Sequence, residues 1–177
     1  MIMKYCIGAL LLVTLLLGYS CMQQEERKNS RHAGKEKESM VRVNQYLVSK
    51  DEEIIENYIK RRGWNMELTE TGLWYMIYRK GNGKPVRKDT RVTIEYSVSL
   101  LDGTLCYHSD ESGPKQFVVG KGEVEPGLDA GILLLRSGDK ARFILPPHLA
   151  YGLIGDENKI PARSVIVYDL TVLSVDK

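Results

Sequence analysis

The chain has 177 residues, 43% of them hydrophobic and 27% charged, with a formal net charge of +2. That length suits one globular domain with a tail, and the composition can bury a core. So small a net charge gives no electrostatic case for nucleic-acid binding.

Lys4 supplies a short basic start, and Tyr5 to Leu17 follows without a charge. Gly18-Tyr19-Ser20-Cys21 closes the run. The pattern reads as a cleaved export signal over residues 1–20, too short for a comfortable membrane span of about 20 apolar residues. The site ending in Cys21 resembles a bacterial lipobox, with Gly18 at the usual leucine position and Leu17 one step further back. That resemblance implies a lipid on Cys21 and anchoring to a membrane of the bacterial cell envelope, periplasmic or surface-facing; an ordinary secretory signal is the alternative. Of the three cysteines, Cys6 leaves with the signal, and acylation of Cys21 would leave Cys106 alone. Without acylation a Cys21–Cys106 pair stays open. His32, His108 and His148 are scattered, so no metal site is expected, and no cofactor.

Residues 21–43 are polar and read as a flexible tether, too poor in apolar surface to offset the entropy of ordering. Residues 44–87 form an extension holding a helix and a first strand. Ser49 fits its N-cap, Glu52 the capping-box position, and Gly63 its end. Ile54, Ile55, Tyr58 and Ile59 make an apolar stripe. Packing onto the following domain explains that stripe better than a dimer face, because no heptad repeat continues it.

From Leu73 the period shortens to that of strands. Leu73 to Tyr78 is a strand, and Lys80-Gly81-Asn82-Gly83-Lys84-Pro85 a turn; no helix follows, so the Gly-x-Gly is no phosphate loop. Val92, Ile94, Tyr96, Val98 and Leu100 alternate with polar residues in a half-buried strand over 91–100. Asp102-Gly103 turns the chain into a strand over 104–108, and another lies near 116–119. Pro126 opens a short helix with Leu128, Ile132 and Leu135 on one face and Gly138 at its end. Residues 140–145 and 164–175 complete an antiparallel α+β arrangement.

Residues 88–177 carry a series of motifs in order: Tyr96, Leu101-Asp102-Gly103, Phe117-Val118-Val119-Gly120, Glu123-Val124, Gly127-Leu128, Ala150-Tyr151-Gly152, Ile160-Pro161 and Val167-Tyr168-Asp169-Leu170. This series resembles the FKBP family of peptidyl-prolyl isomerases, and the tether and helix resemble those of its envelope lipoproteins, including gliding-motility-associated ones. The resemblance implies an antiparallel twisted sheet wrapped on one short helix, with an N-terminal helical extension. It also implies prolyl isomerisation of exported polypeptides, with no metal or cofactor.

Tyr96, Phe117, Tyr168 and Tyr151 are its catalytic candidates, and Val124, Glu125, Leu128, Ile160, Cys106 and Tyr107 its substrate-binding candidates. By resemblance, Tyr96, Phe117, Val124, Leu128, Ile160 and Tyr168 line an apolar pocket. The Tyr151 hydroxyl and the Glu125 backbone N–H hold substrate carbonyls. Leu128 stands where many members have a tryptophan floor, and Lys115 where an aromatic marks the rim. Cys106-Tyr107 replaces an aromatic-Asp pair, with Asp110 out of register, and Asp156-Glu157 an apolar or His-containing loop. Loss of that pair implies lower catalytic efficiency, or a non-catalytic proline-peptide-binding or chaperone module instead. An acidic rim of Glu125, Asp156 and Glu157 would favour basic flanking residues.

Overall fold

The computed structural model describes residues 37–176. The export signal, Cys21 and most of the tether lie outside them. The chain divides into two compact units between Ser49 and Lys50.

Residues 37–62 are helical (α1). The helix therefore begins ahead of Ser49, and both the cap expected there and the last tether residues, 37–43, fall inside it. Residues 37–48 contain neither glycine nor proline, and Glu38 pairs with Arg42 at 3.5 Å one turn on, so nothing local stops the helix. Ser49 does not cap it: its hydroxyl donates back to the Tyr46 carbonyl at 3.0 Å, as hydroxyls inside helices do.

In the second unit the rest of α1 packs through Ile55, Tyr58 and Ile59 onto Ile144, Val165 and Val167. Asp51 fixes this helix to a later loop, accepting two hydrogen bonds from Arg163 at 2.8 and 3.0 Å. The helix ends at Gly63, φ +64°, where the Trp64 N–H bonds the Ile59 carbonyl at 3.2 Å in a Schellman-type closure.

The strands are β1 (Glu67–Leu68), β2 (Trp74–Arg79), β3 (Arg91–Leu100), β4 (Leu105–His108), β5 (Lys115–Val118), β6 (Lys140–Leu145) and β7 (Ile166–Asp176). They form one antiparallel sheet in the order β1-β2-β6-β7-β3-β4, with β5 also on β3. Strand β3 carries the alternation read from the sequence: Val92, Ile94, Tyr96 and Val98 are buried. Its outer edge is shared, β5 pairing Arg91 to Ile94 and β4 pairing Ser97 to Ser99. Between them lies a one-turn helix, α2 (Ser109–Ser112), absent from the sequence reading. Ser109 Oγ accepts the Tyr96 N–H at 3.2 Å, satisfying the strand where no neighbour strand reaches it.

Helix α3 (Pro126–Gly131) sits on the core face, with Leu128 and Ile132 fully buried in the cluster that holds Phe143 and Leu145. It is shorter than expected. A 3-10 turn follows over Ile132–Leu134, and Gly138, φ +90°, leads the chain into β6 instead of ending the helix. The 80–85 loop is a turn, as read, but Gly81 is there for close approach: a Cβ would lie 2.4 Å from the Ser137 carbonyl oxygen.

Candidate functional site

Five parts of the fold converge at one end of the core. Strand β3 brings Tyr96, β5 brings Lys115 and Phe117, and β7 brings Tyr168. The approach to α3 brings Val124, Glu125 and Leu128, and the loop after the Pro147–Leu149 turn brings Tyr151 and Ile160. Tyr96, Cys106, Phe117, Leu128, Ile160 and Tyr168 are buried in one cluster, with Tyr107, Val124 and Tyr151 packed against it. Every site residue named from the sequence apart from Cys21, which lies outside the described residues, thus falls in one neighbourhood. Phe117 is the buried residue of its strand, while Lys115, on the same face two residues earlier, stays partly exposed.

The site is not simply apolar. Glu125 turns its side chain inward, and that side chain is only 5% exposed. Its Oε1 accepts hydrogen bonds from the Tyr151 hydroxyl and, at 3.0 Å, from the Tyr168 hydroxyl. Lys115 Nζ lies 3.9 Å from the same oxygen and 3.4 Å from the Tyr168 hydroxyl, and 4.8 Å from the centre of the Tyr96 ring. Glu125 Oε2 is buried with no hydrogen-bond partner. Burial, with the Glu125 charge beside it, raises the Tyr168 hydroxyl well above the ordinary tyrosine range. Burial and the hydrogen bond to Glu125 do the same to Tyr151, so both remain donors at any physiological pH. The Tyr96 hydroxyl meets Ser112 Oγ at 3.1 Å.

A second tyrosine–carboxylate pair joins β4 to the loop before Ile160. The Tyr107 hydroxyl donates to Asp156 Oδ2 and accepts from Asn158 Nδ2 at 3.3 Å. Asp156 Oδ1 accepts the amides of Ile160, at 2.7 Å, and Asn158, at 3.0 Å. Burial alone would raise the Asp156 carboxyl, but the Tyr107, Ile160 and Asn158 hydrogen bonds outweigh it and hold it below the ordinary value. A carboxylate therefore does stand beside the Cys106-Tyr107 strand, reaching it from the facing loop as Asp156. Cys106 itself lies under that loop, its thiol 3.6 Å from the Lys159 carbonyl and raised in pKa chiefly by burial.

Sequence reasoning missed the inward turn of Glu125 and the part played by Lys115. Two-residue alternation with Phe117 already placed Lys115 on the pocket face. No sequence signal gave the rotamer of Glu125, which follows from two tyrosine hydroxyls arriving from distant segments.

Comparison with known proteins bears on what this arrangement does. The family model described as FKBP-type peptidyl-prolyl cis-trans isomerase matches residues 82–173. Peptidyl-prolyl cis-trans isomerase Fkbp12 of Drosophila melanogaster is 38% identical over 98 residues, 54% of this chain and 91% of that protein. The probable FKBP-type peptidyl-prolyl cis-trans isomerase FkpA of Neisseria meningitidis is 36% identical over 111 residues, 62% of this chain. The chain spans only 40% of the length of that bacterial relative. Among solved structures, FkpA from Escherichia coli superposes with a TM-score of 0.63 at 31% identity, covering 72% of this chain and 58% of the other.

Proposed function

The chain belongs to the FKBP-type peptidyl-prolyl cis-trans isomerase family, and from that premise we propose that it accelerates rotation about prolyl bonds in polypeptides, using the pocket between Tyr96, Leu128, Tyr151 and Tyr168. One observation carries this reading: a tyrosine hydroxyl, Tyr151, is held at the edge of a buried apolar floor built by Leu128, Phe117, Ile160 and Val124.

Rotation about a peptide bond meets a barrier of roughly 18–20 kcal/mol, because planarity gives the C–N bond partial double-bond character. Twisting breaks that resonance and makes the carbonyl less polar. A water-poor apolar floor therefore stabilises the twisted amide relative to the planar one, and differential binding of a conformation is the whole catalysis. No nucleophile is required. The Tyr151 hydroxyl would hold a substrate carbonyl and the Glu125 backbone N–H a second, fixing the chain on either side of the rotating bond. Tyr107 and Asp156 brace the opposite wall. Tyr151 must exchange its bond to Glu125 for one to substrate. That exchange supports a second reading, in which the groove binds proline peptides as a holding module without speeding rotation.

A protease-coupled prolyl-peptide assay separates the two. Tyr151→Phe should lower kcat/KM on the order of tenfold, the size of one lost hydrogen bond, with the circular dichroism spectrum unchanged. Peptide binding without any rate above background would establish the holding module. Neither rate nor binding would sink both readings.

The proposal extends to location. Cys21, lipidated after signal cleavage, would hold the domain at a membrane of the bacterial envelope, where exported polypeptides are the substrates. Cys21→Ser should move the protein from the membrane fraction to the soluble fraction. Unchanged sedimentation with membranes would overturn the anchor.

A further inference from the structure

We propose that the pocket selects prolyl peptides bearing a cationic side chain next to the proline, with Glu125 as the residue that sets this preference. The inference rests on the prolyl-peptide reading above and deepens it.

The first observation is that the protein's own ammonium group already occupies this position. Lys115 Nζ stands 4.8 Å from the centre of the Tyr96 ring, 5.8 Å from that of Tyr168, and 3.9 Å from Glu125 Oε1. The Tyr96 face, the Tyr168 hydroxyl at 3.4 Å and a carboxylate around one cation make a cation-binding site. Lys115 is held by one long hydrogen bond, to the Tyr168 hydroxyl at 3.4 Å, and by none to the carboxylate. Its carboxylate distance exceeds that of a direct charge-assisted hydrogen bond, and its side chain is 27% exposed. Lys115 can therefore swing outward into water and give its place to another cation.

Glu125 provides the second observation. Two tyrosine hydroxyls saturate one side of its carboxylate, while Oε2 is buried without a partner. A buried carboxylate oxygen with no donor is costly, and an incoming N–H donor relieves that cost. An apolar side chain at the same place does the reverse: it displaces Lys115 and leaves the Glu125 charge further from compensation. An acidic side chain would add like-charge repulsion. The pocket thus ranks flanking residues as basic, then apolar, then acidic. Asp156, already paired with Tyr107, and Lys159, over the Tyr107 ring at 5.3 Å, contribute opposing charges at the rim. They leave Glu125 to decide the order.

The test uses three fluorescent peptides differing only in Lys, Leu or Glu before the proline. Affinity is read by anisotropy, independently of any isomerase rate. The expected order is Lys over Leu by about tenfold, with Glu weakest. Lys115→Leu removes the internal cation that each of these peptides displaces, so all three should tighten while Lys stays about tenfold ahead of Leu. Glu125→Gln, which keeps the shape and should keep the fold, should erase the Lys preference; Glu125→Ile should reverse it. Leu binding as well as Lys to the wild type, or a Lys preference that survives Glu125→Gln, would overturn the inference. A Lys preference that depends on Glu125 but comes with no isomerase rate would sustain the inference while refuting catalysis. An isomerase indifferent to the flanking charge would do the opposite.

Discussion

Phe143→Ala should cost the domain about 3–5 kcal/mol, the range for emptying a fully buried aromatic site. The side chain lies on β6 with no exposed surface, in the cluster it shares with Leu128 and Tyr168. In register it faces Tyr75 on one side and Tyr168 on the other, at the centre of the sheet. Its ring runs against the backbone of α3: a Cβ placed on Gly131 would lie 2.7 Å from Phe143 Cε2. Truncation leaves a cavity that neither sheet nor helix can close without breaking strand pairing. A small domain holds only about 5–15 kcal/mol in total, so the variant would sit near its unfolding threshold. Urea denaturation should show a large drop in midpoint at unchanged slope. A drop under about 1 kcal/mol would mean that α3 settles into the space, contrary to the tight packing described. Catalytic loss in this variant would follow the unfolded fraction, which separates it from Tyr151→Phe.

The strand that carries Phe143 was legible in the sequence, and so was most of the fold. The bounds read for 91–100 and 140–145 match β3 and β6 residue for residue, and the alternation read in the first is buried at Val92, Ile94, Tyr96 and Val98. The reading slipped once for a local reason and once for a tertiary one. Ser49 looked like a cap because its sequence neighbourhood is that of a helix start, yet the preceding residues contain nothing to break a helix. The α2 turn escaped because its four residues show no periodicity; it exists to satisfy the Tyr96 amide and is capped by His108 Nδ1, which accepts the Asp110 N–H at 3.0 Å.

The site was legible in membership but not in chemistry. Motif order placed Tyr96, Phe117, Leu128, Tyr151 and Tyr168 together, and the structure brings them together. Whether Glu125 pointed to water or inward depended on hydroxyls 26 and 43 residues away. The Tyr107–Asp156 hydrogen bond likewise joins residues 49 positions apart, beyond any local pattern.

Gly127→Ala should destabilise the protein, although local propensity predicts the opposite sign. Replacing glycine by alanine in a helix ordinarily gains roughly 0.5–1 kcal/mol. Here the added Cβ would stand 2.6 Å from Leu145 Cγ, 2.7 Å from its Cδ2 and 2.9 Å from the Leu149 carbonyl oxygen. Leu145 is fully buried, and a backbone oxygen cannot rotate away. Overpacking of this kind costs about 1–3 kcal/mol, more than the propensity gain, so the net sign is destabilising. The site should feel it too, because α3 carries Leu128 and follows directly on Glu125. Lifting α3 by a few tenths of an ångström moves the pocket floor away from Tyr168 and lengthens the Glu125 hydrogen bonds. Peptide affinity should therefore fall along with the urea midpoint. Leu145→Val in the same chain trims the side chain that clashes but not the carbonyl, so the pair should recover only part of the loss. Full recovery would assign the strain to Leu145 alone. A midpoint raised by Gly127→Ala by itself would show that the helix does not approach the sheet this closely.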